Sequence, residues 1–316
     1  MKRRALNSGG RSAELRRLST EKANSASIDL DRKSAIEISR IINAEDAKVA
    51  VAVKRSLPQI ARAIDLIAAA LSQGGRLIYV GTGTSGRIAA LDAVECPPTF
   101  DVAPRMVQFI IAGGPKALAA AVEADEDSRK LGRKAMAKKK PARKDVVVGI
   151  AASGRTPFTI AAIQYARAHG ATTVAVVCNP KSPLGKAAQL AIVADVGAEV
   201  VAGSTRMKAG TAQKMILNML TTGAMTRLGY VYGNLMVNVS PKNRKLIERG
   251  VGILEKAAGL DHRAARKFLA AAGGRVSVAM VMAKTGVSRA DAVVALKRSQ
   301  GQVRRAMSLA KRGSES

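Results

Sequence analysis

A short apolar run followed at once by a glycine- and hydroxyl-rich turn decides the fold of this chain: Leu77-Ile78-Tyr79-Val80-Gly81-Thr82-Gly83-Thr84-Ser85-Gly86-Arg87. The apolar run is typical of a buried parallel strand. Glycine allows a tight turn and close approach of the backbone to a ligand. A helix that begins at such a turn presents free amide groups and the positive end of its dipole, which suit a phosphate. The stretch therefore predicts a phosphate-binding turn, with candidate contacts Gly83, Thr84, Ser85, Gly86 and Arg87.

Two well-known nucleotide motifs do not fit this turn. A P-loop needs a lysine directly before the hydroxyl residue at the helix start, and none is present. Gly81, Gly83 and Gly86 do match the spacing G-x-G-x-x-G. A dinucleotide site also needs an acidic residue about 20 positions later at the end of a second strand, and prolines surround Asp101 there instead. A small phosphorylated ligand and an unliganded strand-to-helix turn both remain open.

The composition indicates a cytoplasmic protein with an aliphatic core. Of the 316 residues 47% are hydrophobic, but only 3% are aromatic and tryptophan is absent. Cys96 and Cys178 are too few for a disulfide framework, which is typical of a reducing compartment. No apolar stretch has the length of a membrane span, and the basic start lacks the apolar segment of a secretory signal. We therefore expect no membrane partner.

The net charge of +29 raises the possibility of nucleic-acid binding. Much of the excess lies in residues 2–17, 130–144 and 263–312. No aromatic side chains are interleaved in the lysine run 138–140 to stack on bases, and no helix-turn-helix or zinc spacing is present. We expect a surface that attracts polyanions in a salt-dependent way, but no dedicated nucleic-acid partner.

Strand-like and helix-like segments alternate through most of the chain. The predicted strands are 76–80, 107–112, 145–152, 172–178 and 192–196; the predicted helices are 45–71 (interrupted or kinked near Pro58), 85–94 (stopped by Pro97 and Pro98), 116–137, 159–169 and 204–228. This alternation predicts an α/β fold with a doubly wound parallel sheet. The predicted organisation is a flexible basic N-terminus (1–19), an α/β domain (20–255) and a small C-terminal helical domain (256–316) with breaks at Gly273, Gly286 and Gly301.

A second polar turn follows the third predicted strand and contains Ser153, Arg155 and Thr156. Because ligands of doubly wound sheets bind at the carboxyl ends of the strands, this turn and the first are expected to face one pocket, which suits a small phosphorylated metabolite. Thr156 before Pro157 also fits a simple helix cap. Ser204, Thr205 and Lys208 open a later helix, where they either cap it or bind a carboxylate.

Four motifs together resemble the N-acetylmuramic acid 6-phosphate etherase family. They are Gly81–Arg87 with Glu95-Cys96-Pro97-Pro98-Thr99-Phe100, Gly149-Ile150-Ala151-Ala152-Ser153-Gly154-Arg155-Thr156-Pro157, Gly203-Ser204-Thr205-Arg206-Met207-Lys208-Ala209-Gly210-Thr211-Ala212-Gln213-Lys214, and Gly233-Asn234-Leu235-Met236-Val237. The resemblance runs from about Thr20 to Arg305. It implies a sugar isomerase-type, flavodoxin-like domain, usually dimeric, that cleaves the D-lactyl ether of a 6-phosphorylated sugar in cell-wall sugar recycling without metal or nucleotide cofactor. It also implies that Glu95 is the proton donor and Glu126 the second catalytic acid–base residue.

The residues themselves leave both glutamates open. Glu95 near a helix end, beside Val94 and Pro97, has reason to stay protonated, yet it equally suits a solvated helix end. Glu126 has an exposed pair with Lys130 as its ordinary alternative, and Glu123 and Asp125 are competing candidates for its role. Along a straight helix Glu95 is on the order of 15 Å from the phosphate turn. Either the helix bends early, or Glu95 serves the partner subunit in a homodimer with a shared active site.

Two other functions share this fold by resemblance. The related glucokinase regulatory protein is a non-catalytic sugar-phosphate sensor about twice as long, and aldose–ketose isomerases also abstract a carbon-2 proton. Retention of both Glu95 and Glu126 favours the etherase. The chain departs from the family pattern at Val94 (usually Ser), Asp101 (usually Gly) and Lys22 (commonly Gly), and Asp101 adds a charge near Glu95.

Overall fold

A five-stranded parallel sheet forms the centre of the protein. The computed structural model describes residues 18–120, 122, 125–238 and 244–313. The strands are β1 (Leu77–Gly81), β2 (Val107–Ile111), β3 (Val146–Ala151), β4 (Thr172–Val177) and β5 (Leu190–Val193). Their order is β2-β1-β3-β4-β5, and in the register Leu77 lies between Val107 and Val146. This is the flavodoxin-like order, so the predicted fold class is confirmed.

Helices cover both faces of the sheet. They are α1 (Ala35–Lys54), α2 (Leu57–Ser72), α3 (Gly83–Phe100), α4 (Arg129–Lys139), α5 (Pro157–Ala168), α6 (Pro183–Ala187) and α7 (Lys208–Arg227). Alternate strand residues point to opposite faces: Leu77 and Tyr79 join a core with α1, α2, α3 and α7, whereas Ile78 and Val80 join a core with α4, α5 and α6. The sheet is therefore doubly wound.

The C-terminal part is a helical cluster with its own core. A small hairpin, β6 (Val231–Tyr232) and β7 (Leu235–Met236), leads to α8 (Arg244–Ala258), α9 (His262–Ala271), α10 (Val276–Thr285), α11 (Arg289–Arg298) and α12 (Val303–Gly313). The breaks expected at Gly273, Gly286 and Gly301 separate these helices. The boundary predicted at 255/256 lies inside α8, and Val251 of that helix packs in the C-terminal core. The division into domains stays a prediction.

Several elements differ from the prediction. Helix α3 is not stopped by Pro97 and Pro98; it runs through both and ends at Phe100, and the C-cap residue Asp101 adopts a left-handed φ of 53°. Each proline removes one amide, and the buried Cys96 and Phe100 hold the last turns against the core. The helix expected over 116–137 is a 3₁₀ turn (Gly114–Leu118) followed, after a loop, by α4. The last strand lies at 190–193 rather than 192–196, and α6 was not predicted.

Most of the predicted flexible N-terminus, residues 1–17, lies outside the described residues. The part of it that is described is held in place, because Ser19 begins a 3₁₀ turn and bonds to Asn179. Within the described residues, no helix has the length and apolar character needed to cross a membrane.

Candidate functional site

The predicted site turns meet at the carboxyl edge of the sheet. The turn into α3 follows β1 and the turn into α5 follows β3, and these two strands are neighbours. The chain leaves β1 toward β2 on one side and leaves β3 toward β4 on the other. The crevice between β1 and β3 is thus the switch point at which doubly wound sheets bind ligands.

The start of α3 has the geometry of an anion-binding turn. Gly83 has a φ of 49°, a conformation that favours glycine. A Cβ at Gly86 would lie 2.6 Å from Ile111 Cγ1, so this glycine lets α3 pack closely on β2. The Thr82 side chain at the N-cap accepts no hydrogen bond from the described part of the first turn. The amides of Gly83, Thr84 and Ser85 therefore remain available to a phosphate.

Glu126 lies directly over this turn. A Cβ at Gly83 would be 3.3 Å from Glu126 Oε1. The backbone of Glu126 is fixed by the start of α5, since the Phe158 amide donates to its carbonyl at 3.1 Å. The loop that replaces the predicted helix thus brings a carboxylate to the phosphate turn of the same chain. The alternative role of Glu126, a pair with Lys130 on one helix face, is not found. Helix α4 begins only at Arg129, so the two residues do not share a helix.

Arg87 points to that loop. Its Nε donates to the Ala117 carbonyl at 3.0 Å, and its Nη2 donates to the Ala120 carbonyl at 2.9 Å. These bonds hold the segment that leads from β2 toward Glu126. These bonds give the guanidinium a positioning role, and its predicted contact with phosphate stays a prediction.

Asn179, which the sequence analysis missed, joins the other turns. Its side chain is buried, and Nδ2 donates to the Ala152 carbonyl and to Thr20 Oγ1, both at 3.1 Å. Its Oδ1 accepts from Ser19, and the Thr20 carbonyl in turn accepts from the Gly203 amide at 3.2 Å. One amide side chain therefore connects the end of β3, the N-terminal segment and the turn before α7. An isolated Asn after a strand carries no sequence signal for such a role.

The turn after β3 holds Ser153, Arg155 and Thr156, all partly exposed at the edge. Ser153 Oγ accepts from the Arg155 amide at 3.3 Å, and Gly154 has a φ of 65°. Ser204 and Thr205 are also partly exposed, and Thr84 lies close to the start of α7. That these hydroxyl groups share one ligand with the α3 turn stays a prediction.

Lys208 does not belong to this set. It is only 2% exposed, and its Nζ pairs with Glu45 Oε2 at 2.5 Å. The N-terminus of α7 is capped by the buried Glu199, which accepts from the amides of Lys208 and Ala209 at 2.9 Å. The prediction that Lys208 binds substrate is wrong, because its charge is used inside the core and a protein carboxylate already occupies the helix end.

Glu95 lies far from the other site residues of its own chain. It follows Gly83 by twelve positions on one continuous helix, which separates the two by about 18 Å. Its side chain is exposed, beside Leu91 at 50% and Val94 at 55% exposure. The expectation that Val94 and Pro97 shield it from solvent is therefore not met within one chain.

Buried Asp92 fixes the helix that carries Glu95. Its carboxylate accepts from Tyr79 Oη and Asn218 Nδ2 at 2.9 Å and from Thr221 Oγ1 at 3.1 Å. Burial raises the pKa of Asp92, and the three hydrogen bonds oppose this shift. The cluster ties α3 to β1 and α7, so the outer face of α3 is held at a fixed orientation.

Breaking the buried ion pair is expected to destabilise the fold. Replacing Lys208 by methionine leaves Glu45 buried with only Lys48, itself 64% exposed, as a cationic partner, and we expect a loss of about 3 kcal/mol in the free energy of unfolding. Urea denaturation measures it. The double variant Glu45→Gln Lys208→Met should recover most of the loss. Arg227→Met, which removes the exposed pair with Asp65, should cost less than about 1 kcal/mol. Equal losses in both single variants would contradict the assignment.

The same pair predicts an acid dependence of stability. Burial alone raises the pKa of Glu45, but hydrogen bonds from Lys208, Lys48 and Asn24 outweigh it and bring the pKa to about 2, below its ordinary value of 4.5. The stabilisation is therefore present above pH 4.5 and lost as the pH falls toward 2. Melting temperatures measured between pH 6 and pH 2.5 should fall more steeply in the wild type than in Lys208→Met. Parallel curves would contradict the prediction.

Comparison with known proteins agrees with this geometry. Residues 59–167 match the glucokinase regulatory protein N-terminal SIS domain, and residues 134–223 match the SIS domain. The N-acetylmuramic acid 6-phosphate etherase of Aeromonas hydrophila is 50% identical over 91% of this chain and 97% of its own. N-acetylmuramic acid 6-phosphate etherase 1 of Vibrio cholerae is 49% identical over 93% and 98%, and that of Clostridium beijerinckii 46% over 94% and 97%. At this identity and coverage, the chain belongs to the N-acetylmuramic acid 6-phosphate etherase family.

Proposed function

We propose that this protein is a carbon–oxygen lyase that cleaves the D-lactyl ether of N-acetylmuramic acid 6-phosphate, giving N-acetylglucosamine 6-phosphate and D-lactate. Family membership supports the substrate. The observation that carries the chemistry is the position of Glu126, whose carboxylate lies beside Gly83 at the uncapped start of α3. A phosphate on these amides would place the sugar next to an acid–base group.

The reaction needs two proton transfers. An ether at carbon 3 leaves readily only when the open-chain aldehyde at carbon 1 acidifies the proton on carbon 2. One group removes that proton, the C3–O bond breaks, and another group protonates the departing lactate oxygen; water then adds at carbon 3. We assign leaving-group protonation to Glu95 and the second acid–base role to Glu126, since paired carboxyl groups suit such transfers. The steps move only protons and water, so we propose no cofactor.

We propose that the two glutamates meet across a homodimer. Glu95 is about 18 Å along α3 from the phosphate turn of its own chain, and exposed Leu91 and Val94 flank it. The same helix borders an apolar groove of about 1080 Å³ along the edge strand β2, lined by Val94, Phe109 and other apolar side chains. A second copy that covers this face would bury the groove and remove water from around Glu95.

The setting proposed for this reaction is the cytoplasm, within recycling of cell-wall amino sugars. Cys96 and Cys178 are both buried free thiols, and burial raises the pKa of each to about 12. Unreactive, unpaired thiols suit a reducing compartment. We propose a sugar phosphate as the ligand and no dedicated nucleic-acid partner.

Turnover in deuterated water tests the function. We expect the wild type to release D-lactate from N-acetylmuramic acid 6-phosphate and to leave deuterium at carbon 2 of the product. The match to the glucokinase regulatory protein domain keeps a sensor as the second candidate. Binding with neither lactate nor exchange would favour the sensor, and exchange without lactate would favour an isomerase. Either result from folded protein would overturn the etherase proposal.

A further inference from the structure

A polar cleft separates the α/β part of the molecule from the C-terminal helices. It has a volume of about 480 Å³ and is bordered by Asp101 and Tyr230 on one side and by Arg275, Ser277 and Lys297 on the other. Asp101 follows the last residue of α3, whose 18 residues place it about 27 Å from the phosphate turn. The cleft therefore lies at the opposite edge of the sheet from the candidate active site of the same chain.

The wall formed by the C-terminal helices is suited to an anion. The ten-residue helix α10 begins here, with Arg275 as its N-cap in an extended conformation and without a side-chain cap. The first amides of a helix and its dipole favour negative charge at this end. Lys297, in the last turn of α11, adds a second cation at the same cleft.

Ser277 offers a hydrogen-bond donor at this helix start. It is only 6% exposed and lines the cleft, yet its hydroxyl makes no hydrogen bond with any residue in the described part of the chain. A hydroxyl group that lacks a protein partner bonds to water or to a bound molecule. An unpartnered hydroxyl that is open to the cleft at the second position of α10 is a donor that an anion on the helix amides would use.

The facing wall carries groups that suit sugar hydroxyls. Burial and the Asp101 carboxylate both raise the pKa of Tyr230, so the phenol is a hydrogen-bond donor at neutral pH. Asp101 offers an acceptor and Asn238 an amide at the same cleft. A carboxylate here would repel a bare polyanion, but it accepts readily from hydroxyl groups.

We propose that this cleft is a second binding site, for a small phosphorylated sugar, with the phosphate on Arg275, Ser277, Lys297 and the α10 amides and the hydroxyl groups on Asp101 and Tyr230. The site does not rest on the proposed lyase activity. Its volume suits a hexose phosphate, and it is about 27 Å along α3 from the phosphate turn of its own chain.

Calorimetric titration with glucose 6-phosphate tests the site in the full-length protein. Variants at the two sites separate the cleft from the active site. Ser85→Glu places a carboxylate at the α3 turn, where the helix end tolerates it, and blocks phosphate there. In that background we expect one remaining site per chain, weakened at least about tenfold by Arg275→Gln Lys297→Gln and about five-fold by Ser277→Ala. Glucose without phosphate should not bind.

Arg298→Gln is the matched control, because Arg298 is exposed on the same helix as Lys297 but does not border the cleft. It should leave the affinity unchanged. Loss of all binding in Ser85→Glu alone, or equal weakening by Arg298→Gln and by the cleft variants, would overturn the proposal. Lactate release by the Ser277→Ala variant reports separately on the lyase. Retained lyase activity with lost cleft binding, or the reverse, distinguishes failure of one proposal from failure of the other.

Discussion

Glu126→Gln should lower kcat for D-lactate release by about 10²–10⁴-fold, the usual contribution of a positioned acid–base group. Glutamine keeps the size of the side chain beside Gly83 but neither gives nor takes a proton at that position. The fold should be unaffected, because the Glu126 contact with α5 is made by its backbone carbonyl. Initial rates with N-acetylmuramic acid 6-phosphate measure the loss, and melting temperature checks the fold. KM should change much less than kcat.

Asp125→Asn is the control for this assignment. Asp125 is adjacent in sequence and also partly exposed, but it borders the apolar groove at β2 rather than the phosphate turn. We expect nearly wild-type turnover from this variant, provided that it still dimerises. If Asp125→Asn were inactive as a well-folded dimer while Glu126→Gln remained active, the acid–base role would move to Asp125.

Glu95→Gln should also abolish most lactate release, and mixing it with Glu126→Gln should restore activity if the site is shared. In a mixed dimer, one site combines Glu126 of the first chain with Glu95 of the second, and both are intact. The other site lacks both carboxylates. Random assembly of two-fold symmetric dimers from equal amounts of the variants then gives about one quarter of the wild-type activity. Coexpression followed by rate measurement on the purified mixture tests this result.

The position of Glu95 makes this experiment decisive. Within one chain it is exposed and about 18 Å along α3 from the phosphate turn, so a site confined to one chain would need a large movement of a helix that buried Asp92 anchors. No recovery of activity, with heterodimers verified by mass spectrometry, would place both glutamates in one chain. Carbon-2 exchange that survives in Glu95→Gln would assign this residue to protonation of the leaving group.

Local pattern was enough to predict the sheet. The strands at 77–81, 107–111, 146–151 and 172–177 are apolar runs bounded by glycine or charge, and their alternation with helices leaves few topologies. The phosphate turn followed from Gly83 and Gly86. Sequence pattern failed where tertiary contacts outweigh it. Pro97 and Pro98 are accommodated because α3 is anchored on both sides, and the residues around Glu126 form a loop because Phe158 and Arg87 hold it.

Polar and charged side chains were the other residues for which the sequence-based predictions failed. Lys208 at a helix start is typical of a ligand-binding group, and only the fold shows that Glu45, more than 160 residues earlier, takes its charge. Asn179 and Ser277 were missed for the same reason, since the partners of the first and the lack of partners of the second depend on distant segments. Glu126 was found through family resemblance, and its place beside Gly83 is a matter of loop geometry that periodicity does not encode.

The hydrogen bonds of Asn179 have a consequence for how this protein is made. Ser19 and Thr20 leave the ribosome early, yet Asn179 follows them by about 160 residues, and Gly203 emerges later still. The segment that contains Ser19 and Thr20 therefore lacks these hydrogen-bond partners until most of the α/β part has been synthesised. Contacts of such high sequence separation form late and slow the search for the native state. We expect the nascent chain to acquire its sheet first and its finished catalytic edge last.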